Sequence, residues 1–81
     1  MKLWLISQTE NTGYDTYDSA VVCALTEESA RKKHPSGDDT QWRSAGRRLW
    51  CSRPEKVTVT LLGKAVKGTE PGVICASFNA G

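Results

Sequence analysis

The chain holds a cysteine, its only histidine and two adjacent aspartates in one stretch, and Cys51, His34 and Asp38 or Asp39 could together support nucleophilic catalysis. In such a site the histidine deprotonates the thiol and a carboxylate orients the histidine, all at hydrogen-bond distance. A solvated His34 at the C-terminal end of a helix, where it complements the helix dipole, is the simpler interpretation. Because no glycine-rich phosphate loop or complete catalytic constellation is present, we expect a non-enzymatic protein without catalytic residues.

The three cysteines, Cys23, Cys51 and Cys75, are an odd number without a Cys-x-x-Cys pair. A closed zinc site needs four ligands, usually in closely spaced pairs, so the sequence predicts neither a metal nor another cofactor. Cys23 and Cys75 lie in apolar, strand-like runs, where cysteine acts as a small hydrophobic residue. We expect three reduced thiols in a reducing compartment, with these two buried.

Residues 38–53 combine cationic and aromatic side chains and form the candidate binding segment. Arginine and tryptophan together are typical of protein interfaces, and also of single-stranded nucleic-acid sites, where phosphates are contacted and bases are stacked. A third interpretation is that both tryptophans cover a thin sheet, with arginine stems lying along them. The predicted partner-binding residues are Trp42, Arg43, Arg47, Arg48, Trp50 and Arg53.

The formal net charge is +2, with acids predominating in residues 1–30 and bases in residues 31–53. This net charge is low for a dedicated nucleic-acid binder and argues against an acidic DNA mimic. A protein partner is therefore the first expectation, and weak single-stranded nucleic-acid binding through residues 38–53 is the alternative. A structural or assembly role comes third, and a homodimer is left open.

One strand followed by one helix organises the rest of the chain. The apolar run Ala20–Leu25 has strand length, and Thr26 stands at a helix N-cap position. Acidic and then basic residues follow in the order that the helix dipole favours. Pro35 disfavours helix at the residue before it, so we expect the helix to end near Lys33 or His34.

Three further strands are predicted at Lys2–Ser7, Val57–Leu62 and Val73–Phe78. The first has apolar side chains on both faces and should be central. A helix between the second and third strands makes those two parallel, with a right-handed crossover. We expect one α+β domain over residues 1–81, with a small antiparallel or mixed four-stranded sheet in the order 2-1-3-4. The main helix should cover one face, and the threonines of the third strand should lie on the open face.

The connection Pro35–Pro54 is the least regular part of the chain. A short helix from residues 38–40 to Ala45, followed by Gly46, is the one element that its residues suggest. Connections beyond ~12–15 residues without secondary structure are uncommon in compact domains and tend to be functional. This observation marks the connection as the candidate site.

No apolar run approaches the ~20 residues that a membrane-spanning helix needs. The N-terminal run Leu3–Ile6 is also too short for a signal peptide, and no cleavage site of small residues follows it directly. We therefore expect no membrane association and a cytoplasmic location.

The chain resembles small open reading frames carried by tailed bacteriophages and prophages in the stretches YDTYDSAVV, TEESAR, His34–Pro35, Trp50, VTVTLLG and GVICASFNAG. The resemblance covers most of the chain apart from the basic stretch around residues 38–48. It implies a phage product in the bacterial cytoplasm and transfers no activity or catalytic residue. We therefore expect a phage accessory protein that binds a host protein. Two specific functions of this kind are inhibition of a bacterial defence system and inhibition of host transcription.

Overall fold

The computed structural model describes residues 1–43 and 48–80. Within these ranges a four-stranded sheet is combined with one short α-helix and short 3-10 helices, so the predicted α+β class is confirmed in this broad sense. The elements, in chain order, are β1 (Lys2–Ser7), β2 (Thr16–Ala24), α1 (Glu27–Arg31), 3-10 helices at Asp39–Arg43 and Pro54–Lys56, β3 (Thr58–Lys64) and β4 (Gly72–Asn79).

The strands lie in the order β3-β1-β2-β4, and every neighbouring pair is antiparallel. The strand β1 lies between β2 and β3 as predicted. Since both of these strands are antiparallel to β1, they run in the same direction, also as predicted. The predicted order 2-1-3-4 is nevertheless wrong, because β4 pairs with β2 and not with β3.

The position of β4 is explained by the strand that it covers. β2 is the longest strand and has several fully buried residues, whereas most residues of β3 are exposed. Pairing β4 with β2 places β2 in the interior of the sheet and leaves β3 at the edge. The connection at residues 65–71 is long enough to pass the ends of two strands, which lie ~4.8 Å apart in the hydrogen-bonding direction.

One face of the sheet carries the hydrophobic core. Side chains from β1 and β2 alternate onto this face, where α1 and the segment before β3 cover them. Tyr17, Trp42, Val59 and Val73 pack around the margin. The buried core residues are Trp4, Ile6, Ala20, Val22, Ala24, Ala30, Trp50, Cys51 and Val57.

The opposite face of the sheet contains three rows of directly opposed, uncharged residues, which share a face in antiparallel pairs. Thr58 and Thr60 are exposed on it, as predicted for the open face. The rows are Gly63, Leu3, Cys23 and Gly72; Thr60, Leu5, Val21 and Cys75; and Thr58, Ser7, Ser19 and Ser77.

The helix α1 begins as predicted and ends earlier. The Thr26 side chain accepts a hydrogen bond of 3.1 Å from the Ser29 backbone N–H, so Thr26 is the N-cap. The helix ends at Arg31 rather than near Lys33 or His34. After the helix the chain turns inward, and the imidazole of His34 is buried in the protein.

The segment after Pro35 forms the 3-10 helix Asp39–Arg43 where a short helix was predicted. The Asp38 carboxylate accepts hydrogen bonds from the Thr40 backbone N–H at 3.0 Å and the Thr40 hydroxyl at 2.6 Å. These bonds lower the pKa of Asp38. The predicted helix end at Ala45 and Gly46 lies outside the described residues. In the ranges that the structure describes, no helix is long and apolar enough to cross a membrane.

Candidate functional site

The segment Arg48–Ser52 lies in the candidate connection and is fixed to the loop between β1 and β2. The Asn11 side-chain amide donates hydrogen bonds to the carbonyl oxygens of Arg48 at 2.7 Å and Trp50 at 3.1 Å. The Tyr17 backbone N–H donates to the Leu49 carbonyl at 2.6 Å. Three consecutive carbonyl groups are thus held, and this part of the connection has a defined path.

The buried side chain of Gln8 supports Asn11 in turn. Its amide nitrogen donates to the carbonyl oxygens of Asn11 at 2.6 Å and Tyr17 at 3.1 Å, while its amide oxygen accepts from the Asn11 backbone N–H at 2.7 Å. Residue types alone did not predict this contact. A glutamine directly after an apolar strand carries no local signal of such a contact.

A second contact joins the same two segments. The Glu10 carboxylate accepts hydrogen bonds from the Ser52 backbone N–H at 2.7 Å and from the Ser52 hydroxyl at 3.1 Å. These two bonds lower the pKa of Glu10, with smaller contributions from the charges of Lys56 and Arg53. The acidic loop residue therefore stabilises the beginning of the path toward β3.

The two tryptophans of the connection both pack against the core of the protein. Trp50 is fully buried in the core, so its predicted role on a partner surface is not supported by its position. Trp42 is half-buried, packs edge-on against His34 with ring centroids 5.7 Å apart, and donates its indole N–H to the Lys32 carbonyl at 2.8 Å. Both rings thus attach the connection to the core, and the arginine stems of the third interpretation are not among their contacts in the described residues.

The expectation that His34 is solvated is wrong, because the residue is fully buried. Its Nδ1 accepts a hydrogen bond of 3.2 Å from the Ser36 backbone N–H and lies 2.8 Å from the Ser36 hydroxyl. The rings of Tyr17 and Trp42 pack against it edge-on. The backbone N–H of His34 donates to Asp39 at 2.8 Å. His34 therefore organises the beginning of the connection.

The cysteines also differ from expectation. Cys23 and Cys51 are buried and Cys75 is exposed, so Cys51 rather than Cys75 is the second buried thiol. Burial raises the pKa of Cys51 to about 11, and its thiol donates to the Arg53 carbonyl at 3.5 Å. A thiol with this pKa is almost entirely protonated at neutral pH, which disfavours a nucleophilic role.

The aspartates considered as orienting groups also have structural partners. Besides accepting from the His34 backbone, Asp39 lies 3.6 Å from the Lys33 ammonium. Asp38 is engaged by Thr40, as described above. No group of His, Cys, Asp and Glu residues within residues 1–43 and 48–80 is arranged to hold a metal ion.

The arginines are the predicted site residues that remain at the surface. Arg43, Arg48 and Arg53 are exposed, and Arg47 lies outside the described residues. Arg53 forms an exposed ion pair of 3.8 Å with Glu55. Among the residues that the structure describes, no carboxylate forms an ion pair with Arg43 or Arg48. Their guanidinium groups are therefore available to an external acceptor.

Comparison with known protein families, with curated proteins and with solved structures finds no match to this chain.

Proposed function

We propose that this chain is a non-enzymatic binding module that recognises an acidic surface of a protein through the exposed arginines of residues 38–53. In this proposal the chain is a phage accessory protein that binds a host protein in the bacterial cytoplasm. Inhibition of a host defence system is one function that such binding would serve. The proposed contact residues are Arg43, Arg48 and Arg53, together with Arg47.

The observation that carries the proposal concerns Arg48. Its carbonyl oxygen is held by Asn11 at 2.7 Å, while its side chain is exposed and has no carboxylate partner in the described part of the chain. The backbone of this arginine is therefore fixed before any partner binds. Less conformational freedom is then lost on binding than from a free loop.

The type of residue favours an acidic protein surface. The planar guanidinium group offers hydrogen-bond donors in a fork that matches a carboxylate, and arginine is enriched among residues that dominate binding energy. Internal ion pairs elsewhere satisfy other cations: Arg31 contacts Glu27 at 3.1 Å and Glu28 at 3.3 Å. The contrast supports a binding role for Arg43 and Arg48 rather than an internal structural role.

The alternative of single-stranded nucleic-acid binding is weakened, because it depends on tryptophan rings on which bases can stack. Single-stranded nucleic acids are bound by cationic grooves together with aromatic faces on which bases stack. Trp50 is fully buried, and Trp42 is half-buried, forms a T-shaped contact with His34 and donates its indole N–H to a backbone carbonyl. Phosphate contact through the arginines alone remains as the competing outcome of the experiment below.

The test is affinity capture from bacterial lysate, with and without nuclease, using the wild type and the double variant Arg43→Ala with Arg48→Ala. The wild type should capture a specific protein. The captured amount of this protein should fall roughly tenfold or more with the variant, as expected when arginine anchors are lost. Folding should be unchanged by circular dichroism, since substitutions of solvated surface residues usually alter stability by less than about 0.5 kcal/mol.

The matched control is Lys64→Ala with Lys67→Ala, which removes the same charge near the start of β1, at the opposite end of the sheet from the loop that holds Arg48. Capture by this control should equal that of the wild type. Equal loss from both variants would indicate nonspecific charge attraction. Undiminished capture by the arginine variant would refute the proposed surface, and loss of capture after nuclease treatment would favour nucleic acid instead.

A further inference from the structure

The edge of the sheet formed by β4 has the features of a strand that pairs with another strand. β4 pairs with β2 on one side, and no other strand of the described residues lies on its other side. The outer backbone N–H and C=O groups of an edge strand are a template for further pairing. The strand is eight residues long, and six of these are exposed.

Edge strands in soluble proteins are usually protected by charged side chains, prolines, bulges or very short length. The sequence of β4, GVICASFN, contains no charged residue and no proline. Its own extra residue is Ile74, between the pairs Val22 with Val73 and Val21 with Cys75, and a second shift of register lies opposite Ser77 and Phe78, where the extra residue, Asp18, belongs to β2. The part from Cys75 to Asn79 has no extra residue of its own, no charged residue and no proline.

The other edge of the sheet differs in this respect. β3 ends in the charged residue Lys64, and an extra residue, Leu62, interrupts its pairing with β1. The uninterrupted part of β3 runs only from Thr58 to Leu61. The two edges are therefore unequal, and β4 is the one better suited to pairing.

We infer that two copies of this chain associate through antiparallel pairing of their β4 strands and form one continuous eight-stranded sheet. A strand that pairs with its own copy about a two-fold axis meets the same residues in reverse order. Because β4 is uncharged, this pairing brings no like charges together. The exposed apolar side chains of Ile74 and Phe78, which are 51% and 43% exposed, would lose contact with water at or beside the junction.

The symmetry of this association limits it to a dimer. Each copy uses its β4 edge once, so the outer edges of the combined sheet are the two β3 strands with Lys64. A two-fold contact is closed, whereas a head-to-tail contact between different edges would generate fibres. The arginines of the proposed function lie in the connection before β3 and not in β4.

The test is the molar mass of the wild type in solution, measured by sedimentation equilibrium over a range of concentrations. The mass should rise with concentration from the monomer value of 8.9 kDa toward twice that value. Ser77→Lys introduces an edge charge and should weaken association roughly tenfold or more, by the mechanism with which lysine protects natural edge strands. A wild type that stays at the monomer mass at every concentration would overturn the inference.

The matched control is Thr58→Lys. Thr58 and Ser77 are both exposed hydroxyl residues and lie at opposite ends of the same row on the open face, one on each edge strand. The control should associate like the wild type. If both variants lose association, the contact is made by the open face, and if neither does, it lies elsewhere; both results contradict pairing through β4.

Hydrogen exchange tests the inference on the wild type alone, so the result does not depend on whether a variant folds. Backbone amides within residues 75–79 should become more protected as the concentration rises, and those of β3 should not. Protection that is independent of concentration in β4 would also contradict the inference.

Discussion

Glu10 and Ser52 are joined by two hydrogen bonds, since the carboxylate accepts from both the backbone N–H and the hydroxyl of the serine. Together with the two bonds from Asn11, they fix an otherwise irregular connection to the loop between β1 and β2. The proposed arginine surface depends on these contacts, because they determine the path of the backbone from which Arg48 and Arg53 extend.

The Glu10 contact should make stability depend on pH. The folded-state pKa of Glu10 lies below the ordinary value of 4.5, so its contribution is fully present above that value. The contribution is lost as the pH falls below 4.5 and through the folded-state pKa. Glu10→Gln should therefore have a lower urea midpoint than the wild type at neutral pH. The difference between the two midpoints should become smaller as the pH falls below 4.5.

Glu70→Gln is the control for this prediction, because Glu70 is exposed and its carboxylate has no hydrogen bond or ion pair with the described residues. This variant should follow the wild-type pH profile. A Glu10→Gln midpoint that is equal to the wild type at neutral pH would show that the contact with Ser52 does not stabilise the fold.

Asn11→Ala should destabilise the protein by about 1–2 kcal/mol, because it removes two hydrogen bonds and leaves the partly buried carbonyl group of Trp50 without this donor. The measurement is urea denaturation followed by tryptophan fluorescence, which changes on unfolding because Trp4 and Trp50 are buried in the native protein. Thr12→Ala, at an exposed neighbouring position, should change stability by less than about 0.5 kcal/mol. Equal effects of the two changes would contradict the role of Asn11.

Thr26→Ala should cost about 0.5–2 kcal/mol, since the hydroxyl accepts from the Ser29 backbone N–H at the start of α1. Thermal or urea denaturation measures the change. Thr9→Ala serves as the comparison, because Thr9 is exposed and outside any helix. An unchanged midpoint for Thr26→Ala would mean that this cap does not contribute to stability.

Thiol labelling should separate the three cysteines. Cys75 is exposed and should react rapidly with an alkylating reagent in the native protein, whereas Cys23 and Cys51 should react only after unfolding. The raised pKa of Cys51 slows its reaction further, because the thiolate is the reactive form. Intact mass should show one added group under native conditions and three after denaturation, and native labelling of all three thiols would contradict the burial.

The features that the sequence predicted correctly depend on local signals. The cap at Thr26, the central position of β1 and the exposed threonines of β3 each follow from residue type and alternation over a few positions. The partner of β4 depends instead on a comparison between two distant strand edges. No short pattern contains that information, and the predicted order had placed β4 beside β3.

In the candidate site, too, local signals predicted some features, whereas others depend on contacts between distant residues. The exposure of Arg43 and Arg48 agrees with their charge, but tryptophan and histidine suit both a surface and a core. The burial of Trp50 and His34 follows from the thin sheet, which needs large side chains from outside its strands to cover it. The anchoring of the connection by Gln8 and Asn11 joins residues that are far apart in the chain, so the sequence alone did not reveal it.

The strand order has a consequence for how quickly the chain reaches its native state. Only β1 and β2 are neighbours in both sequence and space; Lys2 of β1 must find Lys64, and Thr16 of β2 must find Asn79. Distant pairings of this kind require the entropy of closing large loops before any contact is gained, and they are typical of domains that fold in milliseconds to seconds. During synthesis the hairpin of β1 and β2 therefore emerges with both edges bare, and it stays prone to aggregation until both later strands have left the ribosome.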